Sequence, residues 1–124
     1  MRNEEPEIND PLNEKSFSFS LRIIKLFRYM HNTHKEYILS KQILRSGTAI
    51  GALIREAKYA QSKADFLNKL MIALKEANET KYWLELLNQS DYIDQKMYKS
   101  IEPDINELLN LLISSTKTVK QGAK

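Results

Sequence analysis

The sequence predicts an all-α protein, an antiparallel up-down-up-down four-helix bundle. Apolar residues recur at spacings of three and four through most of the 124-residue chain. Glycine and proline number three each, too few for a turn-rich β fold. Four periodic stretches are joined by short polar links, which sets neighbouring helices antiparallel. A three-helix bundle with a broken fourth helix is the main alternative.

Residues 1–12 are expected to form a flexible acidic tail, because Pro6, Pro11 and dense charge leave no periodicity. The bundle is expected over residues 13–119, with residues 120–124 as a frayed C-terminus. Helix one should run from about Asn13 to Thr33. Its seam is Phe19, Ile23, Leu26 and Met30, widened by Phe17, Leu21, Ile24 and Phe27. Helix two should run from about Glu36 to Ala60, with Leu39, Ile43, Ser46, Ile50, Leu53, Ala57 and Ala60 inward. Helix three should start at Ser62, since Ser62-Lys63-Ala64-Asp65 has the form of a capping box. Its seam is Phe66, Leu70, Ala73, Ala77, Thr80, Leu84 and Leu87. Asp94 should cap helix four, whose seam is Ile101, Ile105, Leu108 and Leu112. Pro103 predicts a kink near Glu102 or a true start at Pro103.

Residues 45–60 read RSGTAIGALIREAKYA, with Gly47 and Gly51 one helical turn apart. A glycine inside a helix costs about 1 kcal/mol relative to alanine, so something must come close enough to require it. The expectation is close packing of Gly47 and Gly51 against Ala73 and Ala77 of helix three, or against Phe66 or Trp83. A membrane dimer motif is a poor reading, because Arg45, Arg55 and Glu56 surround the glycines. A phosphate-cradling loop would need a preceding strand and a Gly-Lys-Ser/Thr sequence, and both are missing.

The net charge of +3 is unevenly placed. Residues 1–14 carry −4, residues 15–64 carry +8 and residues 65–124 carry −1. A basic half of this kind suits an acidic partner, nucleic acid above all. The candidate contacts are Arg22, Lys25, Arg28, Lys41, Arg55 and Lys58, which would grip phosphates without reading bases. Arg45 and Glu76 are expected to face inward and form a buried or half-buried ion pair that fixes the register of helices two and three. Trp83 and Tyr82 suit either the core or a subunit interface. His31 and His34 are read as a solvated pair, too few for a metal site. With no cysteine, nucleophile–base pair or cofactor loop, neither catalysis, metal nor cofactor is expected. No apolar run approaches the ~20 residues of a membrane span, and the N-terminus is unlike a secretory signal, so a cytoplasmic protein is expected.

Two stretches carry a family likeness: LRS-x-x-x-IG-x-x-I-x-E from Leu44 to Glu56, and S-x-x-DF-x-x-KL-x-IALKEA-x-ET-x-x-WL from Ser62 to Leu84. On these the chain strongly resembles the bacterial four helix bundle proteins encoded in intervening sequences of 23S rRNA genes. The likeness covers residues 12–119 and extends to the accessory variability proteins of diversity-generating retroelements. It implies an antiparallel four-helix bundle in a ring-shaped homo-oligomer, a pentamer where a member's assembly is known. For the retroelement relatives it implies binding of RNA or DNA and of a reverse transcriptase through a basic surface. Many relatives read IGANIAEG where this chain has IGALIREA, so Leu53, Arg55 and Ala57 replace Asn, Ala and Gly. The functional expectation is a non-enzymatic oligomeric binding protein that contacts nucleic acid or a nucleic-acid-processing partner. The alternative is a structural or protein–protein interaction module with no nucleic-acid role.

Overall fold

The computed structural model describes residues 4–122, with side chains from residue 11 onward. Four helices fill it: α1 (Glu4–His34), α2 (Leu39–Lys58), α3 (Lys63–Gln89) and α4 (Gln95–Lys120). Each helix packs only on its two neighbours, in the cycle α1–α2–α3–α4. Cross-helix pairs fix the directions. Gly47 lies against Ile23 and Gly51 against Ser16, so α1 and α2 are antiparallel. Ser46 meets Thr80 while Glu56 lies near Lys69, so α2 and α3 are antiparallel. Lys15 pairs with Glu107 and Arg22 with Asp104, so α4 runs against α1. This is the up-down-up-down bundle expected from the periodicity.

The first helix is longer than predicted. It begins at Glu4 rather than Asn13, so much of the expected tail is helical. Pro6 falls in the first turn, where a backbone N–H has no intrahelical partner in any case. Pro11 forfeits one backbone bond, and the helix continues through it. Residues 1–3, and residues 123–124 of the expected frayed end, lie outside the described residues. Helix α4 likewise runs unbroken from Gln95 through Pro103, so a true start at Pro103 does not occur.

The helix ends have local causes. Lys35 adopts a left-handed backbone, φ 54°, and stops α1. Glu36 then starts α2 from outside it, not as its first residue. Its carboxylate accepts from the N–H groups of Ile38, Leu39 and Ser40 at 3.0, 2.7 and 2.9 Å. Partial burial pushes the Glu36 carboxyl up, but the N–H donors of Leu39, Ser40 and Ile38 and the Ser40 hydroxyl outweigh it and hold it below the ordinary 4.5. Ser62 caps α3 by accepting from Asp65 N–H at 3.0 Å. The Asp65 carboxylate reaches back to Gln61 N–H, one residue beyond the capping-box position. At the other end, left-handed Asp91 closes a Schellman turn, with Tyr92 N–H donating to Leu87 O at 2.9 Å. Asp94 caps α4 by accepting from Met97 N–H.

The core follows the predicted seams on α1, α3 and α4. Phe19, Ile23, Leu26 and Met30 are buried, as are Leu70, Ala73, Ala77, Leu84, Leu87, Ile101, Ile105, Leu108 and Leu112. On α2 the buried line turns slightly: Ile54 is inside, and Leu53 and Leu39 are half-buried. Phe17 and Leu21 do not widen the α1 seam; they face solvent, 55% and 50% exposed. A hydroxyl pair bridges α2 and α3 in the core, where Ser46 and Thr80 oxygens are 2.8 Å apart. Thr80 is also 2.8 Å from the Glu76 carbonyl, so neither hydroxyl is buried without a partner.

The glycines face α1, which corrects the expectation of a contact with α3. A Cβ on Gly47 would lie 2.9 Å from Ile23 Cγ1, closer than van der Waals contact permits. Ala73 and Ala77 are buried but are not the nearest neighbours of either glycine. Helix periodicity chose the right face and close approach; the neighbour was wrong because small residues occur on α3 as well. A Cβ on Gly51 would find ordinary contact, 3.4 Å from Ser16 Oγ.

The two glycines should therefore separate in denaturant unfolding. Gly47→Ala should lose about 1–2 kcal/mol, because the stiff, buried Ile23 cannot withdraw cheaply. Gly51→Ala should be neutral or gain up to ~1 kcal/mol from helix propensity.

Glu36→Ala should cost about 1 kcal/mol at neutral pH through loss of the cap. Because the folded pKa of Glu36 lies below 4.5, its contribution is present above that pH. It fades as pH falls through the lower folded value, so wild type and variant should converge in acid.

Candidate nucleic-acid interface

The structure divides the six predicted cations between two sides of the bundle. Arg22 points at α4. Its Nη1 donates to Asp104 Oδ2 and to the Ser100 carbonyl, each at 2.8 Å, and Nη2 donates to Ser100 Oγ at 2.7 Å. That bonding ties its guanidinium to the bundle and removes it from the set available to phosphate. The cause is electrostatic: α4 brings the Asp104 carboxylate to the level of Arg22. Lys25 is exposed and lines the α1–α4 groove.

Arg28, Lys41, Arg55 and Lys58 lie on the other side. Phe17, Ile24 and Arg28 follow one another on one face of α1 at helical spacing, as do Lys41, Thr48, Ala52 and Arg55 on α2. The two faces meet, because Phe17, Ile24, Thr48, Ala52 and Arg55 line one shallow groove. A second hollow at the end of α2 is lined by Phe17, Arg55, Lys58 and Tyr59, with Glu14 at its edge. Tyr59 is 78% exposed there. Arg55 and Lys58 occupy the last turn of α2, where the helix dipole favours cations. Among residues 11–122, no carboxylate lies within ion-pair distance of Arg28, Lys41, Arg55 or Lys58; Glu56, beside Arg55 in sequence, lines the same groove and lies 3.9 Å from Lys69.

The expected Arg45–Glu76 pair forms, with Nη1 3.2 Å from Glu76 Oε1, and it is larger than the sequence suggested. Nη2 reaches Glu79 Oε2 at 2.6 Å, and the Trp83 indole N–H donates to the same oxygen at 3.1 Å. The Trp83 and Arg45 donors hold the Glu79 carboxyl below its ordinary value, and Glu79 and Glu76 raise Arg45. Arg45 does not face inward as expected: its side chain is 51% exposed, against 16% for Glu76, so the cluster spans α2 and α3 at the surface. Trp83 is half-buried against the core while Tyr82 beside it is 53% exposed. The helical i, i+4 relation of Glu79 to Trp83 was the signal that reading Glu76 alone missed.

The histidines are not a solvated pair. His31 packs on Phe27, with ring centroids 4.0 Å apart, and edge-on to Tyr37. His34 Nε2 lies 3.3 Å from the Tyr29 hydroxyl, and its ring meets Tyr92 edge-on. Both rings fill the junction where α1 ends. Among the described residues, no three acidic or histidine side chains gather as metal ligands. No helix among those residues is long and apolar enough to cross a membrane.

Fold and surface together define a small all-α bundle with one cationic, aromatic-bearing side. More particularly, the chain belongs to the 23S rRNA-intervening sequence protein family, whose model matches residues 11–114. It is also similar to a crystal structure, at 1.70 Å, of a protein of unknown function from the S23 ribosomal protein family of Bacteroides thetaiotaomicron. The two share 56% identity over 89% of this chain and 98% of that one, with a TM-score of 0.87. No curated protein matches the chain.

The Arg45 cluster should show measurable coupling. In a double-mutant cycle, Arg45→Glu should destabilise the protein, and adding Glu79→Arg should restore roughly 0.5–1 kcal/mol, the range for a well-formed surface network. Additive losses in urea unfolding would mean that the cluster does not hold α2 to α3.

Proposed function

We propose that this is a non-enzymatic cytoplasmic binding protein that holds nucleic acid on its α1–α2 side, through Arg28, Lys41, Arg55 and Lys58. The observation that carries the proposal is the gathering of four cations on one side without ion-pair partners. Arg28, Lys41, Arg55 and Lys58 have no carboxylate within ion-pair distance among residues 11–122, although Glu14 and Glu56 line the hollows beside them. Exposed Phe17 and Tyr59 beside Arg55 and Lys58 add flat faces on which a base or sugar can rest. Contacts of this kind grip the backbone and carry little sequence information.

The working unit is a ring of copies. Exposed apolar residues away from the cationic hollows occur on opposite corners of the square, Leu21 on α1 and Met71 and Tyr82 on α3. Two unlike patches on opposite corners suit head-to-tail contact, the kind that closes into rings. A ring, pentameric by the family likeness, repeats the cationic side and multiplies its potential. The second reading is a protein-interaction module, in which the same exposed residues meet a protein such as a reverse transcriptase and nucleic acid is not bound.

Light scattering with and without a short RNA duplex, at roughly 50 and 200 mM salt, tests both parts. The expected result is a particle several times the 14.5 kDa protomer that binds at low salt. Four phosphate contacts per protomer predict roughly a hundredfold loss of affinity between the two salts. Arg55→Ala with Lys58→Ala should weaken binding, and Arg22→Ala should not. An assembly that ignores RNA at both salts would favour the protein-interaction module.

A further inference from the structure

The α1–α4 side holds a different site. A groove of about 540 Å³ runs between these helices, within the size range of small-molecule sites. Its floor is apolar, built from Leu26, Met97 and Ile101, with Tyr29 at one end. Its rim carries Lys25 and Lys96, both exposed, and no carboxylate lines it. Arg22 also borders the groove, but its guanidinium is committed to Ser100 and Asp104. Neither lysine has an ion-pair partner among residues 11–122.

Two features say what charge would fill it. Lys96 lies in the first turn of α4, and that turn contains no acidic residue. A cation there opposes the helix dipole, and an anion beside it relieves the conflict. The nearby Asp94 carboxylate is occupied by the Met97 N–H as the helix cap. The groove exists because α1 and α4 make the thinnest contact in the bundle and are tied by the Lys15–Glu107 and Arg22–Asp104 pairs lower down. Above those ties a groove opens over half-buried Met97, with Leu26 and Ile101 buried beneath it.

We infer that the α1–α4 groove binds a small amphipathic carboxylate, with its apolar body on Leu26, Met97 and Ile101 and its head between Lys25 and Lys96. A polyanion would use the lysines but leave the apolar floor wet. A neutral apolar molecule would use the floor but not the two uncompensated charges. An anionic head on an apolar body is the combination that distinguishes this ligand class from both.

The probe is sodium decanoate below its micelle concentration, titrated into the 124-residue chain and followed by NMR of the Leu26, Met97 and Ile101 methyl groups. Decanol and decyltrimethylammonium serve as neutral and cationic controls. Saturable shifts at these methyls are expected, with decanoate about tenfold tighter than decanol, the sum expected of two exposed charge contacts. Lys25→Gln with Lys96→Gln should erase that preference, and both positions are exposed enough for the fold to persist. Met97→Glu should abolish decanoate binding. Equal affinity for decanoate and decanol, a preference that survives the double lysine variant, or no saturable shift at the floor would each overturn the inference.

Discussion

The bundle depends on the close approach of α1 to α2. Gly47 is the residue that permits it, because any Cβ there would press on Ile23, itself fully buried. Close approach puts the outward faces of α1 and α2 side by side, so that Phe17, Ile24, Ala52 and Arg55 line one groove. A helix-propensity penalty of about 1 kcal/mol is accepted for that contact. The α1–α4 seam is the opposite case. It is tied by ion pairs rather than by small residues, and it opens into a groove above them.

The same packing decides which charges are neutralised. Residues 15–64 carry ten cations and only two acids, Glu36 and Glu56. Glu36 is used at the N-terminus of α2, and Glu56 faces Lys69 on α3. Glu56 also lines the α1–α2 groove, but it is not within ion-pair distance of the cations there. Helices α3 and α4 carry most of the acids, and three cations that face them are paired, Arg45 with Glu76 and Glu79, Arg22 with Asp104 and Lys15 with Glu107, while Lys25 beside α4 has no such partner among residues 11–122. The uneven charge of the sequence thus becomes an uneven surface, basic where α1 meets α2 and compensated where acids of α3 or α4 come within reach.

Much of the fold was legible because helical periodicity reports which face is buried. The seams of α1, α3 and α4, the caps Ser62 and Asp94, and the Arg45–Glu76 pair all rest on local spacing or matched charge. Periodicity does not say which neighbour a face meets, and that is where expectations failed. Gly47 was assigned to α3, and Arg22 was counted as available when α4 claims it. The Glu36 cap was missed because a long side chain acts from three residues outside the helix it starts, where short Ser or Asp is the usual signal. The histidine cluster was missed because Phe27, Tyr37 and Tyr92 converge on it from both ends of a turn and from another helix junction. Of the candidate interface, the residue types were legible, and their division between two sides required the packing.

Photocrosslinking tests the central claim most directly, that the α1–α2 side, whose cations lack ion-pair partners among residues 11–122, is where nucleic acid rests. An RNA carrying thiouridine would be bound at low salt, irradiated, and the attached peptides mapped by mass spectrometry. The account predicts crosslinks on the segments containing Phe17, Arg28, Arg55 and Tyr59, lost together when salt is raised. Crosslinks concentrated on α3 or on the exposed face of α4, or none at any salt, would contradict it.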